Sequence, residues 1–458
     1  MHTRTAAVAL GALIALALPA APAAAGPPGK WTQLTTPGAS ILNIMRPGLA
    51  RTSDGVLHVT WTRDDAGNAD SLLHSALSAD AKSVSGPDLV FTGTDGVNAS
   101  SALVVAPDGL RAFLGSVNNF SNGLGTALSG DAGKTWNVKP TPASRGGNQA
   151  KPVYAASGIA AALATGGTVF SAWGASSPSG AGFHIGLEQS DPDGEFDTSL
   201  VVDPGVGVDS QTGAAFVAMS RLNEDGTAIF PISPAGASFA IPDSNANQLQ
   251  HPTHVTGRIG KPGVYVAYTK GSSEFLGKAA LWDVGGAKGR VLGRKGDEDA
   301  SVVAAPDGRL WVFWRGDDDV RATRSNPAVT EFGRVVRVRN PKGADSVYDL
   351  TGNGSRGPLD VLLQADTGAG PASWHQRILP GLSLTYKLGT GKKGAGKVFL
   401  KVTDARDPVK GATVKVKGQG TKTTSATGNT VFKLSPGRYR ARASKDGYSG
   451  TKIRVRVR

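Results

Sequence analysis

Pro306-Asp307-Gly308-Arg309-Leu310-Trp311-Val312-Phe313-Trp314 is a turn followed by a strand, and it recurs along most of the chain. An Asp-Gly pair supplies the positive-φ residues of a tight hairpin. The alternating run of Val, Phe and Trp behind it is strand-forming. Clear copies are Thr52-Ser53-Asp54-Gly55-Val56-Leu57-His58-Val59-Thr60-Trp61 and Pro107-Asp108-Gly109-Leu110-Arg111-Ala112-Phe113. Weaker copies are Gly166-Gly167-Thr168-Val169-Phe170, Thr212-Gly213-Ala214-Ala215-Phe216, Pro262-Gly263-Val264-Tyr265-Val266 and Pro358-Leu359-Asp360-Val361, which makes seven. Further along the units a second strand tends to end in serine, at Leu77-Ser78, Leu128-Ser129, Gln189-Ser190, Ile232-Ser233 and Arg324-Ser325. Each unit thus holds at least four strand-sized pieces at a period of ~45–50 residues, that of a propeller blade. Radial repetition also protects the many strand edges. The spacing predicts an all-β chain: a six- or seven-bladed β-propeller, seven repeats being counted, followed by a small β-sandwich. Trp31-Thr32-Gln33-Leu34 supplies an outer strand to close the ring.

Inside the second register, Ser129-Gly130-Asp131-Ala132-Gly133-Lys134-Thr135-Trp136 has the chemistry of a hairpin turn. Ser129 and Asp131 accept backbone N–H groups, Gly133 permits positive φ, and Trp136 packs beneath the blade. In-phase remnants are Ser78-Ala79-Asp80, Ser190 through Asp193-Gly194-Glu195-Phe196, and Ser233 through Gly236-Ala237-Ser238-Phe239. The octapeptide matches S-x-D-x-G-x-T-W, and the chain resembles the sialidase-like propellers with BNR (Asp-box) repeats. In that family the box is structural and lies away from the active site.

The resemblance also implies where catalysis would sit: an arginine triad for a substrate carboxylate, an aspartate acid/base, and a tyrosine nucleophile activated by a glutamate. A tyrosine spares an anionic sugar from attack by a carboxylate. On this chain Arg46 stands near the family's opening R-I-P motif, directly before Pro47 rather than two residues before it. Asp64, after the first inner strand, stands at the acid/base position, and Tyr348 lies one place out of phase with the nucleophile. Neither the glutamate nor the other two arginines can be matched. The reading favoured is therefore a non-catalytic glycan- or cell-surface-binding propeller. The alternative is an exo-acting glycoside hydrolase of sialidase type.

Charge divides the chain in two. Residues 381–458 hold nineteen Lys and Arg against Asp404, Asp407 and Asp446, a net of +16, whereas residues 26–380 carry −4. From residue 397 onward the pattern has period two: Val398, Leu400 and Val402 face one way, and Val414 and Val416 alternate with Lys415 and Lys417. Tyr439, Ala441 and Ala443 alternate with Arg438, Arg440 and Arg442; Ile453, Val455 and Val457 alternate with Lys452, Arg454, Arg456 and Arg458. The run from Val402 through Val414, with Ser435-Pro436-Gly437-Arg438-Tyr439 and Asp446-Gly447-Tyr448, resembles the carboxypeptidase regulatory-like (prealbumin-type) sandwich. Solubility needs a net charge of only ~2–8 in a small domain, so +16 points to an anionic polymer such as teichoic acid or acidic polysaccharide. Aromatic residues are not interleaved with the cations, which argues against specific nucleic-acid recognition.

Composition sets the remaining bounds. There is no cysteine, which excludes disulfides, thiol catalysis and Cys-ligated metal. Arg4, the apolar run Ala6 to Leu18, and Ala23-Ala24-Ala25 read as a signal peptide over residues 1–25, too short and too broken at Pro19 to span a membrane. The expectation is a secreted, extracellular monomer, associated with the cell wall by charge, with a propeller over 26–380 and a sandwich over 381–458. No cofactor and no metal are expected. Gly391 to Lys397 mimics a phosphate loop but leads into a strand, and His251-Pro252-Thr253-His254 offers no third ligand. Asp317-Asp318-Asp319 after Arg315 could bind calcium with loop carbonyls, though a solvated loop is the commoner reading of such a run.

Overall fold

The computed structural model describes residues 29–35, 47–65, 69–94, 99–116, 124–140, 158–174, 182–185, 194–195, 201–221, 227–244, 254–271, 277–389 and 396–458. Among the described residues seven four-stranded antiparallel sheets follow one another along the ring, one per blade. Blade 1 comprises Gly48–Arg51, Leu57–Asp65, Ala69–Leu77 and Val84–Thr94, ordered from the centre outward. The innermost strands of blades 2 to 5 are Ala99–Ala106, Gly158–Leu163, Val201–Val208 and His254–Arg258. Blade 6 comprises Glu298–Ala304, Leu310–Arg315, Asp319–Arg324 and Val336–Arg339. Blade 7 takes Ser346–Asn353, Leu359–Asp366 and Pro371–Ile378 from the end of the ring, and its outermost strand, Thr32–Gln33, from the beginning. Thr32 pairs with His375 and Gln33 with Trp374, which fastens the two ends of the ring together.

The repeated turns join the first and second strands of their blades. Gly109 shows why glycine is required: its φ is 135°, and a Cβ there would lie 2.2 Å from the Ser129 carbonyl oxygen. The second strands are more uniformly apolar than a half-exposed strand would be, because each blade is sandwiched between two others. In blade 6, Trp311 and Phe313 enter a core shared with Leu350, Leu359 and Val361 of blade 7. Leu310, Val312 and Trp314 enter another shared with Tyr265 and Leu281 of blade 5. The core of the ring is a set of such seams, one between each pair of neighbouring blades.

Beyond the ring, two four-stranded sheets enclose a separate core that includes Val398, Leu400, Val402, Val414, Val416, Phe432, Ala441, Ala443, Val455 and Val457. The apolar members of the period-two pattern thus point inward. Ser383–Leu388 pairs along Gly396–Asp404, so this strand belongs to the sandwich. The sandwich is seated on blade 6. Arg324 and Arg309 both reach Asp404, at 3.8 Å for Arg309, and Arg309 Nη2 also donates to Asp407 Oδ2 at 2.5 Å. Arg334 Nε donates to the Leu382 carbonyl at 2.9 Å, and the Arg324 guanidinium lies 5.8 Å from the Tyr448 ring. Two of the sandwich's three acids are therefore consumed by the propeller.

Candidate functional site

The Ser129–Trp136 turn is closed by its own side chains. Ser129 Oγ donates to Asp131 Oδ1 at 2.8 Å and accepts the Gly133 N–H at 2.7 Å. Asp131 accepts the Thr135 hydroxyl at 2.6 Å and the N–H groups of Thr135 and Lys134 at 2.9 and 3.1 Å. Those bonds, Thr135 foremost, hold its carboxyl far below the usual carboxylate range. Blade 1 repeats the device: Ser78 donates to Asp80 at 2.7 Å, and Asp80 also accepts the Lys82 N–H. Asp80 is lowered to about 2, chiefly by the Ser78 hydroxyl. Trp136 departs from expectation. It is half-buried, anchored by Nε1 to the Gly133 carbonyl at 3.0 Å, because it covers the edge of the seam between blades 1 and 2. The Ser190–Asp193 copy falls largely outside the described residues.

All seven inner strands meet at a central cavity of about 160 Å³. Its described lining is mostly glycine, alanine, valine and leucine, with His254 its one titratable side chain and no arginine among them. A larger cavity of about 620 Å³ opens between blades 6 and 7, where second strands end and outer strands lead into the next blade. Glu298, Arg315, Asp317, Asp318, Arg339 and Asp345 supply its charge. Arg315 is fully engaged, with Nη2 on Glu298 at 2.5 Å, Nε on Asp299 at 2.7 Å and Nη1 on the Val347 carbonyl at 2.8 Å. Asp317, Asp318 and Asp345 are exposed. The run read as a solvated loop thus splits: Asp319 is buried and paired with Arg321 at 2.7 Å, while its two neighbours rim the cavity.

Tyr348 is half-buried in the bulge between Val347 and Asp349, beside this cavity. Its hydroxyl lies 3.5 Å from Asp366 Oδ2, a carboxylate that sequence spacing did not single out. Burial and then Asp366 push the phenol above its ordinary pKa. The Asp64 backbone is at the C-terminal end of Leu57–Asp65, paired with Asp70, at the rim that second-strand ends share. Arg46 lies outside the described residues, as do His251 and residues 391–395. Among the described residues no group of three or more His, Asp or Glu is placed to hold a metal ion, and no helix is long and apolar enough to cross a membrane.

The polar face of the second sandwich sheet, Thr413–Val416, Gly420–Thr423, Gly437–Ser444 and Thr451–Val457, carries exposed cations on three of its four strands and threonines on Gly420–Thr423. Arg438 stands opposite Arg456, Arg440 opposite Arg454, and Arg442 between Lys415 and Lys452. Arg458 follows at the end, and every one of these side chains is exposed. Its four strands contain no acid. Sheet geometry fixes the cations in a grid of ~4.8 Å across strands and ~6.6 Å along them. Like charges directly opposite destabilise a sheet.

No family model and no curated protein matches the chain. Among solved structures it is similar to the Aleuria aurantia lectin in complex with alpha-methyl-L-fucoside, at 11% identity over 85% of this chain and 98% of that one, with a TM-score of 0.39. It is also similar to a PL25 ulvan lyase bound to a -[GlcA(1-4)Rha3S]- fragment, at 10% identity over 77% and 94%, TM-score 0.46. A third is a Mycobacterium tuberculosis puromycin-hydrolysing peptidase, at 12% over 82% and 62%, TM-score 0.40.

Proposed function

We propose that the protein is a secreted glycan- and cell-surface-binding propeller that adheres to anionic polymers through its C-terminal sheet. One observation carries this reading: four directly opposed pairs of like charge on an exposed face with no acid in its strands. Such a face costs stability, and its raised positive potential is what it gains. Attraction here is by charge density rather than by a pocket, which suits teichoic acid or an acidic polysaccharide. At the other end of the molecule, the cavity between blades 6 and 7 falls within the ~300–1,000 Å³ of small-molecule sites. Its exposed carboxylates favour a hydroxyl-rich neutral sugar over an anionic one. A sialidase mechanism is disfavoured on the same ground, since Arg315 is already held by two acids and Tyr348 is raised rather than lowered in pKa.

Affinity of the full chain for teichoic acid, heparin and DNA, measured from low to high salt, tests the reading. The Debye length falls from ~10 Å at 0.1 M to ~3 Å at 1 M, so all three affinities are expected to collapse together. Reversing Arg438, Arg440 and Arg442 to Glu weakens all three polymers alike. Affinity indifferent to salt, or loss confined to one polymer, refutes binding by charge density.

A further inference from the structure

The ring closes over one carboxylate shared by more cations than it can neutralise. Asp360, on the second strand of blade 7, is 2% exposed. His375 Nε2 lies 2.8 Å and Arg377 Nε 2.9 Å from its Oδ1, and Arg51 of blade 1 reaches across the seam to its Oδ2. The side chains of Arg51 and Arg377 are 3% and 5% exposed. Arg51 Nη1 donates to the Gly55 carbonyl, and Arg377 Nη1 to the Ala79 carbonyl at 3.1 Å. Arg51 Nε has no partner. The junction therefore buries two guanidinium groups on a single carboxylate, and an unmatched buried charge is costly. Desolvation and the facing Arg377 lower the pKa of Arg51 despite Asp360.

This cluster opens on one side into a cavity of about 250 Å³ between the closing strand and the turn that follows Ala69–Leu77. Its titratable lining residues are Lys30, Lys82, His375 and Arg377, with no acid among the described residues that line it. Lys82 is 67% exposed and also lies 3.2 Å from Asp80. Trp31 forms another wall, and its ring is pinned because Nε1 donates to the Arg339 carbonyl at 2.7 Å. The space exceeds the ~150 Å³ that accommodates a benzene ring, so one sugar ring fits.

We infer that this closure cavity is a binding site for a sugar carrying a carboxylate or sulfate, with the oxyanion drawn to Arg377, Lys30 and Lys82 and the ring set against Trp31. An oxyanion there offsets the excess charge of the junction and accepts charge-assisted hydrogen bonds from the fixed Arg377 guanidinium, with the exposed Lys30 and Lys82 ammonium groups closing onto it. A fixed indole face supplies the apolar contact that a sugar's C–H side needs. The site is distinct from the sandwich sheet: it takes a single residue by shape as well as charge, and it lies on the ring.

The test uses the full chain with three small probes, methyl glucuronide, methyl glucoside and inorganic sulfate, read by tryptophan fluorescence and calorimetry. Glucuronide is expected to bind at least tenfold more tightly than glucoside, and more tightly than free sulfate, which lacks the ring. Sulfate binding as tightly as glucuronide overturns the sugar assignment, and glucoside equalling glucuronide overturns the oxyanion assignment. Lys30→Glu and Lys82→Glu replace exposed side chains, so the fold is kept; each is expected to weaken glucuronide at least tenfold. Unchanged affinity in both variants overturns the placement. The same titration in a chain carrying Arg440→Glu and Arg454→Glu separates the two readings. Glucuronide binding retained there belongs to the closure cavity, and its loss there returns it to the sheet and overturns the site.

Discussion

Acid should loosen the seam between blades 1 and 2, because two histidines are buried there in contact. His58 Nδ1 and His74 Nε2 are 2.9 Å apart with the rings stacked at 5.1 Å, and each residue is 1% exposed. His58 Nε2 lies 3.2 Å from the Thr52 hydroxyl, and Trp136 meets His74 edge-on at 5.4 Å. Only one hydrogen fits between the facing nitrogens, so protonating both rings sets donor against donor. Burial first and the His74 charge second lower His58 from 6.5 to about 4. The unfolded chain therefore takes up this proton near pH 6.5, while the folded chain resists until about pH 4. Stability is full above pH 6.5 and falls by ~1.4 kcal/mol per pH unit below it, a total of roughly 3 kcal/mol from this residue. Urea unfolding between pH 7.5 and 4.5 measures the slope. His58→Gln, which cannot titrate, should be less stable at pH 7.5 yet flatter between pH 6.5 and 4.5. A parent whose stability is level over that interval, or a variant with the parent's slope, refutes the reasoning.

Three further outcomes follow from the packing and the sites. Trp311→Ala, at a fully buried position, should cost ~3–5 kcal/mol, whereas Trp136→Ala, half-buried at a seam edge, should cost about 2 kcal/mol; equal losses by thermal denaturation contradict the seam description. Asp404→Ala leaves Arg309 and Arg324 facing each other without their buried anion and should cost ~3–5 kcal/mol, read as accelerated proteolytic release of the sandwich. The full chain should release no fluorophore from a sialic-acid conjugate; turnover that is lost in Tyr348→Phe would instead establish a tyrosine nucleophile.

What the sequence made legible was what sequence-local physics determines. Turn glycines such as Gly109 are fixed by backbone sterics, and the Ser129–Trp136 bonds all lie within a few residues, so both are visible in the order of amino acids. The same holds for the cationic face, since period two alone puts Arg438, Arg440 and Arg442 opposite the buried Ala441 and Ala443. Even the closing strand was readable, because Trp31-Thr32-Gln33-Leu34 had no sheet of its own to join. What stayed hidden depends on the closing of the ring. Arg51 and Asp360 are 309 positions apart and no local pattern links them. The cavity between blades 6 and 7 is built from connections of separate sheets. Within the sandwich, the pairing of Ser383–Leu388 with Gly396–Asp404 could not be read from the period-two pattern, which is clear only from residue 397 onward.

The placement of acids explains how one chain carries opposite charges without cancelling them. If Asp404 and Asp407 were spread over the sandwich, each would pair with a neighbouring cation and lower the potential of the sheet. Instead both are turned toward blade 6, where Arg309 and Arg324 neutralise them in a half-dry interface. That arrangement fastens the sandwich with the only acids that would have weakened its outer face, apart from Asp446 in an exposed turn. Rigidity then matters as much as charge. Rows held on paired strands keep their spacing when a polymer arrives, so little side-chain and backbone order has to be created on binding. The cavity between blades 6 and 7 keeps its exposed carboxylates away from the sandwich. An anionic polymer that met the sheet would therefore find no attraction at that cavity, whose exposed Asp317, Asp318 and Asp345 carry the opposite sign.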